Sequence, residues 1–434
     1  MISHPDPLST ALESATEELA RRASRFEVFV RQGESAQLIR THDSSLERRQ
    51  SRELGVACRV FARQRVGFAA AAGSAGRAGR QAALAALDAM RPSPDPLPPA
   101  EALGSSGSAL PHPTPDSEAQ ELFTRELTAA FAAETSRMAL MQVRLLTGAS
   151  RAALGTAEGI VEHASAGGAV AELLVAPPAG PWRHVHVAAP RLADIVPRVL
   201  AARTIEACLL APEGGAPPRQ LADVLLAPAV AAPLVLALAQ HLARETSTPG
   251  ERVRVRVSTA WHLVDERPGP AGLLPLPWDG EGLPARRIVL ADRGRLGESF
   301  ATWERARRTG EKPGGAVRPT YRHPPFPGPS NLVVLPTAAV PQVELLARLE
   351  RGFYLALPAG PPRVDAANAR FTLRAAGVAV QNGRPVAAHP LLEVSGTFRR
   401  VLAGLLVTGG DVESFSLASA VTTPSMLFHR LEIA

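Results

Sequence analysis

From Pro7 to Arg25 the apolar positions Leu8, Leu12, Ala15 and Leu19 recur at helical spacing and predict an amphipathic helix. Short alternating runs follow at Phe26–Arg31, Ala36–Thr41, Leu54–Ala62 and Arg65–Ala70, punctuated by Gly33, Gly55 and Gly67, and read as strands. A second helix is predicted over Arg77–Met90, which makes residues 1–90 a helix–strands–helix unit. Residues 91–119 carry eight prolines with serines and glycines and no periodicity, the pattern of a linker or long surface loop.

Periodicity returns with a helix over Glu118–Glu134, strands at Met138–Thr147, Gly159–His163, Val170–Val175 and Trp182–Ala188, and a helix over Ala193–Leu210. These elements define a central unit, residues 120–217. The run Val224–Ala239, broken by Pro228 and Pro233, is too short for a membrane span and reads as a buried strand followed by a buried helix over Ala229–Ala243. Beyond Glu251 short strands between Gly/Pro turns predominate, at Val253–Ser258, Arg286–Asp292, Leu332–Leu335, Phe371–Val380 and Leu392–Gly396. Helices near Val343–Arg351 and Thr397–Leu406 interrupt them. The expected fold is therefore α+β: amino-terminal α/β units, then a β-rich, barrel-like domain over residues 218–434.

Composition changes this picture little. Hydrophobic residues make up 46% and charged residues 20%, as in ordinary soluble domains. Cys58 and Cys208 are the two cysteines, too few for a disulfide framework and in keeping with a cytoplasmic setting. Residues 1–31 show no signal-peptide pattern. The net charge of +6 raises the question of nucleic acid, but Lys312 is the single lysine and the arginines are scattered. With aromatics at 4%, a basic stripe interleaved with stacking residues is not expected.

Several short stretches carry more information. The amino-terminal unit has Leu54-Gly55-Val56-Ala57-Cys58-Arg59-Val60-Phe61 and Arg65-Val66-Gly67-Phe68-Ala69. The second half has Asp279-Gly280-Glu281-Gly282-Leu283-Pro284 before Arg286-Arg287, Pro329-Ser330-Asn331-Leu332, Gln381-Asn382-Gly383-Arg384-Pro385-Val386, Gly409-Gly410-Asp411 and Thr423-Pro424-Ser425-Met426. Asp279-Gly280 and Asn382-Gly383 are pairs that suit hairpin turns. In this order the stretches resemble the TldD/PmbA family over nearly the whole chain.

The resemblance implies a two-component peptidase. Its catalytic, TldD-type chain holds zinc through a His-Glu-x-x-x-His helix and a late cysteine. A catalytic zinc needs about three protein ligands and an open position. Here the corresponding helix places Leu236 at the first histidine and Ala237 at the glutamate, so that only His241 coincides with a ligand, and Ser414–Ser425 contains no cysteine. The resemblance thus points to the non-catalytic, TldE-type subunit, with no cofactor of its own, zinc in a TldD-like partner, and unstructured peptides as substrate. Asp279, Glu281 and Arg286 in one turn, and Asn368, Arg370 and Phe371 in another, are the candidate peptide contacts; Arg370 stands where the family has an acidic residue. Two other readings stay open. One is a non-proteolytic binding protein of the DNA gyrase modulator type, and the other a peptidase whose metal site has moved to His184 and His186, which alternate on one strand.

Overall fold

The Asp6 carboxylate accepts from the Ser9 amide and Pro7 sets φ at the first helical position, which starts α1 (Pro7–Ala20). The computed structural model describes residues 6–434 apart from 95, 104–115, 136, 160, 178–181, 209–218, 245–254, 268–276 and 339. The two runs predicted on either side of Gly33 are one strand, β1 (Arg25–Thr41), because Gly33 continues ladders to Glu53 on one side and Ser150 on the other. Its partner β2 (Leu46–Ala62) begins earlier than predicted, since residues 46–53 are exposed on both faces and show no alternation. Then come β3 (Arg65–Ala72), α2 (Ala75–Asp88), β4 (Arg91–Pro92), α3 (Ser117–Glu134), β5 (Ala139–Thr156), β6 (Val161–Ala176), β7 (Arg183–Ala189) and α4 (Pro197–Cys208).

Among the described residues these strands form one sheet in the order β4-β3-β2-β1-β5-β6-β7. The stretches before and after the Pro/Ser/Gly segment therefore share a ladder, where β1 pairs with β5 from Glu27–Thr156 to Thr41–Gln142. Within the expected linker, residues 95 and 104–115 lie outside the described residues. Beside them, β4 pairs with β3, and Arg25 donates to the carbonyls of Leu97 and Pro98, with Leu97 buried.

Strand alternation sorts the two faces of this sheet. Val28, Val30, Val56, Cys58 and Val60 pack under α1 and α2 through Leu8, Leu12, Leu19 and Ala82. Farther along, Val143, Leu145 and Leu173 meet Phe123, Leu127 and Phe131 of α3 and Leu200 and Ile205 of α4. The opposite face offers Phe29, Ala57 and Leu154, and these pack on Trp278 and Tyr321 of the second half.

That half begins with β8 (Gln220–Leu226) and α5 (Pro228–Arg244), the predicted buried strand and helix. It continues through β9 (His262–Glu266), β10 (Arg287–Asp292), β11 (Arg295–Leu296), α6 (Trp303–Thr309), β12 (Ala316–Val317), β13 (Phe326–Pro327), β14 (Asn331–Val334) and α7 (Gln342–Ala347). The last elements are β15 (Arg351–Pro358), β16 (Arg363–Asp365), β17 (Arg370–Gln381), β18 (Arg384–Thr397), α8 (Phe398–Gly404), β19 (Leu405–Thr408), β20 (Glu413–Ser416), β21 (Ala420–Thr423) and β22 (Met426–Ile433). The strand expected over Val253–Ser258 does not form in its described part; instead the Ser258 amide donates to the Leu402 carbonyl.

Strands β15-β8-β22-β18-β17 close into a barrel through the β15–β17 pairing, as the β-rich expectation required. A second sheet, β11-β10-β9-β14-β21-β20, lies alongside. Between the two layers sits α5, and Val230, Leu234, Leu238 and Leu242 join Trp261, Leu332, Leu355, Phe398 and Phe428 in one core. Asn382 and Gly383 both adopt positive φ in the turn from β17 to β18, the conformation that the Asn-Gly pair predicts. No helix among the described residues is long and apolar enough to cross a membrane.

Candidate functional site

The helix that resembles a metal-binding helix is α5, and its face toward β20 and β21 brings it to the segment where the late cysteine is missing. Leu236 and Ala237 are buried in the apolar core. The His241 ring, half-buried, stacks on Phe398 at 4.7 Å between centroids. Two hydrocarbon side chains offer a cation no electron pair, so the residues at these positions do not fit a zinc centre. Among the described residues no group of three or more His, Cys, Asp or Glu side chains converges to hold a metal. On β7, His186 stacks on Phe415 and its Nδ1 lies 3.7 Å from Glu172, its cross-strand neighbour, while His184 stands opposite Leu174.

The structure separates the two expected peptide-contacting turns. Asn368 and Arg370 are exposed on the turn from β16 to β17, where the Asn368 side chain donates to Asp365 at 2.7 Å. Phe371 points inward and lies 5.9 Å from the Phe398 ring. Asp279 and Glu281 are elsewhere, at 2% and 1% exposure, in the joint between the amino-terminal sheet and the second half. Arg286, half-buried, donates to the Pro313 carbonyl at 2.7 Å and pairs with Glu298.

The joint is built by strand register. Glu27 on β1 stands between Arg59 on β2 and Thr156 on β5, all toward the second half. Arg59 donates to Glu27 at 2.6 Å and to Glu281 at 3.3 Å. Arg318 donates to the other Glu27 oxygen and to the Gly280 carbonyl, with its guanidinium 4.5 Å from the centre of the Phe29 ring. The second Glu281 oxygen accepts the Trp303 amide at 2.6 Å, at the start of α6. Asp279 closes its own turn by accepting from the Glu281 and Leu283 amides, and it accepts from the Ala316 amide as well. Next to it Arg267 donates to Asp265, and Asp265 in turn accepts from the amides of Ser330 and Asn331.

Burial opposes ionisation of Glu27, but the Arg318 and Arg59 guanidiniums overcome it and hold the carboxyl below its ordinary range. For Glu281 burial prevails over Arg59, aided by the Asp279 and Glu27 carboxylates, and pushes the carboxyl up to about 7. Burial raises Asp279 too.

Glycines let the two halves approach. A side chain at Gly55 would place its Cβ 2.1 Å from the Tyr321 ring, and one at Gly282, where φ is +82°, would meet Leu154 at 2.2 Å. Glu27, Arg59, Arg318, Asp265 and Arg267 escaped the sequence reading. The available signal was a charge inside a strand, since Arg59 lies in a run that is buried on both faces.

With this geometry established, the chain can be compared with known proteins. Residues 219–434 match the PmbA/TldA metallopeptidase C-terminal domain. No curated protein matches the chain in sequence. TldE from Thermococcus kodakarensis superposes with a TM-score of 0.82 at 15% identity, covering 98% of this chain and 100% of that one. A putative modulator of a DNA gyrase from Thermotoga maritima gives 0.77 at 17% identity, over 98% and 100%. One from Bacteroides thetaiotaomicron gives 0.74 at 16% identity, over 99% and 98%. At these identities the superpositions speak for the fold, and the domain match and the ordered motifs carry the family. The chain belongs to the TldD/PmbA family.

Proposed function

We propose that this chain is the non-catalytic, TldE-type subunit of a two-chain metallopeptidase that cleaves unstructured peptides, with zinc held by a TldD-like partner. The observation that carries this reading is the chemistry of α5. The helix keeps its place against β20 and β21, yet it presents Leu236 and Ala237 where a zinc peptidase needs a ligand and a carboxylate. Such a helix supports a fold but does not activate water. The exposed Asn368–Arg370 turn and the Arg286 region are the surfaces we assign to peptide contact. An extended peptide would pair there mainly through its backbone.

The role that the gyrase-modulator relatives bear in their names supplies the second reading, a binding protein without proteolysis. A relocated metal at His184 and His186 has less support, because among the described residues these histidines belong to no group of three or more His, Cys, Asp or Glu side chains that could hold a metal. The test is a cleavage assay on an unstructured peptide with this chain alone, the TldD-like chain alone, and both together. Cleavage that needs both chains, or rises strongly when this one is added, is the expected result. Robust metal-dependent hydrolysis by this chain alone would sink the proposal, and a complex with no cleavage in any arm would favour the binding-protein reading.

A further inference from the structure

Among the described residues, four buried side-chain polar atoms have no hydrogen-bond partner, and three of them, Arg59 Nε, Thr156 Oγ1 and Trp278 Nε1, lie at the joint. Such clustering is unusual, because buried polar groups are nearly always satisfied by protein or by ordered water. Thr156 also lines a cavity that offers about 10 Å³ to the centre of a water-sized sphere, shared with Glu27, Glu281, Arg25, Glu158 and Leu154. That volume suits one small guest.

Charge decides which guest. Around the cavity, the carboxylates of Glu27, Glu158 and Glu281 face the guanidiniums of Arg25, Arg59 and Arg318, which touch or line the same site. The surroundings are balanced when Glu281 is ionised and carry one positive charge when it is protonated, so they attract no cation, while the Glu27 and Glu158 carboxylates on the lining oppose an anion. The guest must instead donate to a carboxylate and complete the buried hydroxyl of Thr156, a residue that is 8% exposed. A neutral molecule with both a donor and an acceptor meets these demands.

We propose that the joint binds a single structural water between Thr156 Oγ1 and the Glu27–Glu281 carboxylates, linking β5 to the 278–284 turn. The water ties the amino-terminal sheet to the second half through the one lining hydroxyl that lacks a protein partner. It also solvates carboxylates that are otherwise enclosed. This inference is independent of the peptidase reading.

The test compares Thr156→Val with Thr156→Ser, following hydrogen exchange of the Glu281 and Trp303 amides, which report on the joint. If water is bound, Thr156→Val removes its anchor and both amides exchange about tenfold faster, whereas Thr156→Ser stays near wild type. If Thr156→Val exchanges no faster and melts higher than wild type, the cavity is dry and the proposal fails. Protection in wild type that rises on replacing choline chloride with sodium chloride would make the guest a cation and overturn it too. Should Thr156→Val not fold, diffraction from the wild-type protein decides. A solvent peak within hydrogen-bond distance of Thr156 Oγ1 is expected, and its absence sinks the idea.

Discussion

Glu281 sits between a guanidinium that favours its charge and a burial that opposes it, and the balance sets a pH dependence. Its folded-state value of about 7 is above the ordinary 4.5 of an exposed glutamate. Between those values the folded protein holds a proton that the unfolded chain releases, so stability falls as pH rises through the window. Asp279, also raised, acts in the same direction. Glu27 acts in the opposite direction and at lower pH, because its depressed carboxyl contributes stability that is lost only on acidification. The stability of the wild-type protein, read from its urea midpoint, is therefore expected to drop from pH 5.5 to pH 8 by about 2 kcal/mol if Glu281 acts alone. Glu281→Gln, which carries no titrating proton, should flatten that slope. A wild-type slope of the opposite sign, or one that Glu281→Gln leaves unchanged, would show that Arg59 rather than burial controls this carboxyl.

At the scale of elements, α5 shows what periodicity can and cannot reveal. Its place in the core was legible because Val230, Leu234, Leu238 and Leu242 keep an apolar face, and because a helix lined with alanine and leucine on its other sides must be buried. What a sequence pattern does not show is that Leu236 and Ala237 lie within the same core as Phe398 and Phe428. Converting them to the residues of a zinc helix would bury an imidazole and a carboxyl without partners. Leu236→His with Ala237→Glu should therefore neither bind zinc nor cleave peptide, and it should lose several kcal/mol of stability by the cost of burying unpaired polar groups. Metal analysis and a urea titration check this. One zinc per chain in the double variant would mean that the core opens there and that a third ligand exists. The joint was less legible for a related reason. Asp279-Gly280 suits a hairpin turn, but such a pair serves equally at the surface or in a buried turn whose carboxylate caps its own amides, and local sequence does not distinguish the two. Only the register that sets Glu27 and Arg59 opposite the turn decides it.

Across the whole molecule the question is what the arginine-rich composition does. Many surface arginines are tied to nearby carboxylates: Arg48 to Glu121, Arg144 to Glu172, Arg151 to Asp6, Arg203 to Glu413, Arg287 to Glu266 and Arg322 to Glu53. Others, including Arg59, Arg318 and Arg267, are buried in the joint and are out of reach of any polyanion. These pairs join segments distant in sequence, so their charge serves to hold the fold more than to project a field. Exposed pairs are individually weak, and their sum leaves a diffuse potential from a net charge of +6. A duplex needs a row of free cations spaced along its phosphates, and affinity gained from a few scattered arginines falls steeply as salt rises. Binding to duplex DNA is accordingly expected to be weak at low salt and lost by about 200 mM salt, as measured by fluorescence anisotropy across a salt series. Tight binding that survives this salt would mean that the arginines act together on one surface, and it would move the balance from a peptidase subunit to the gyrase-linked reading.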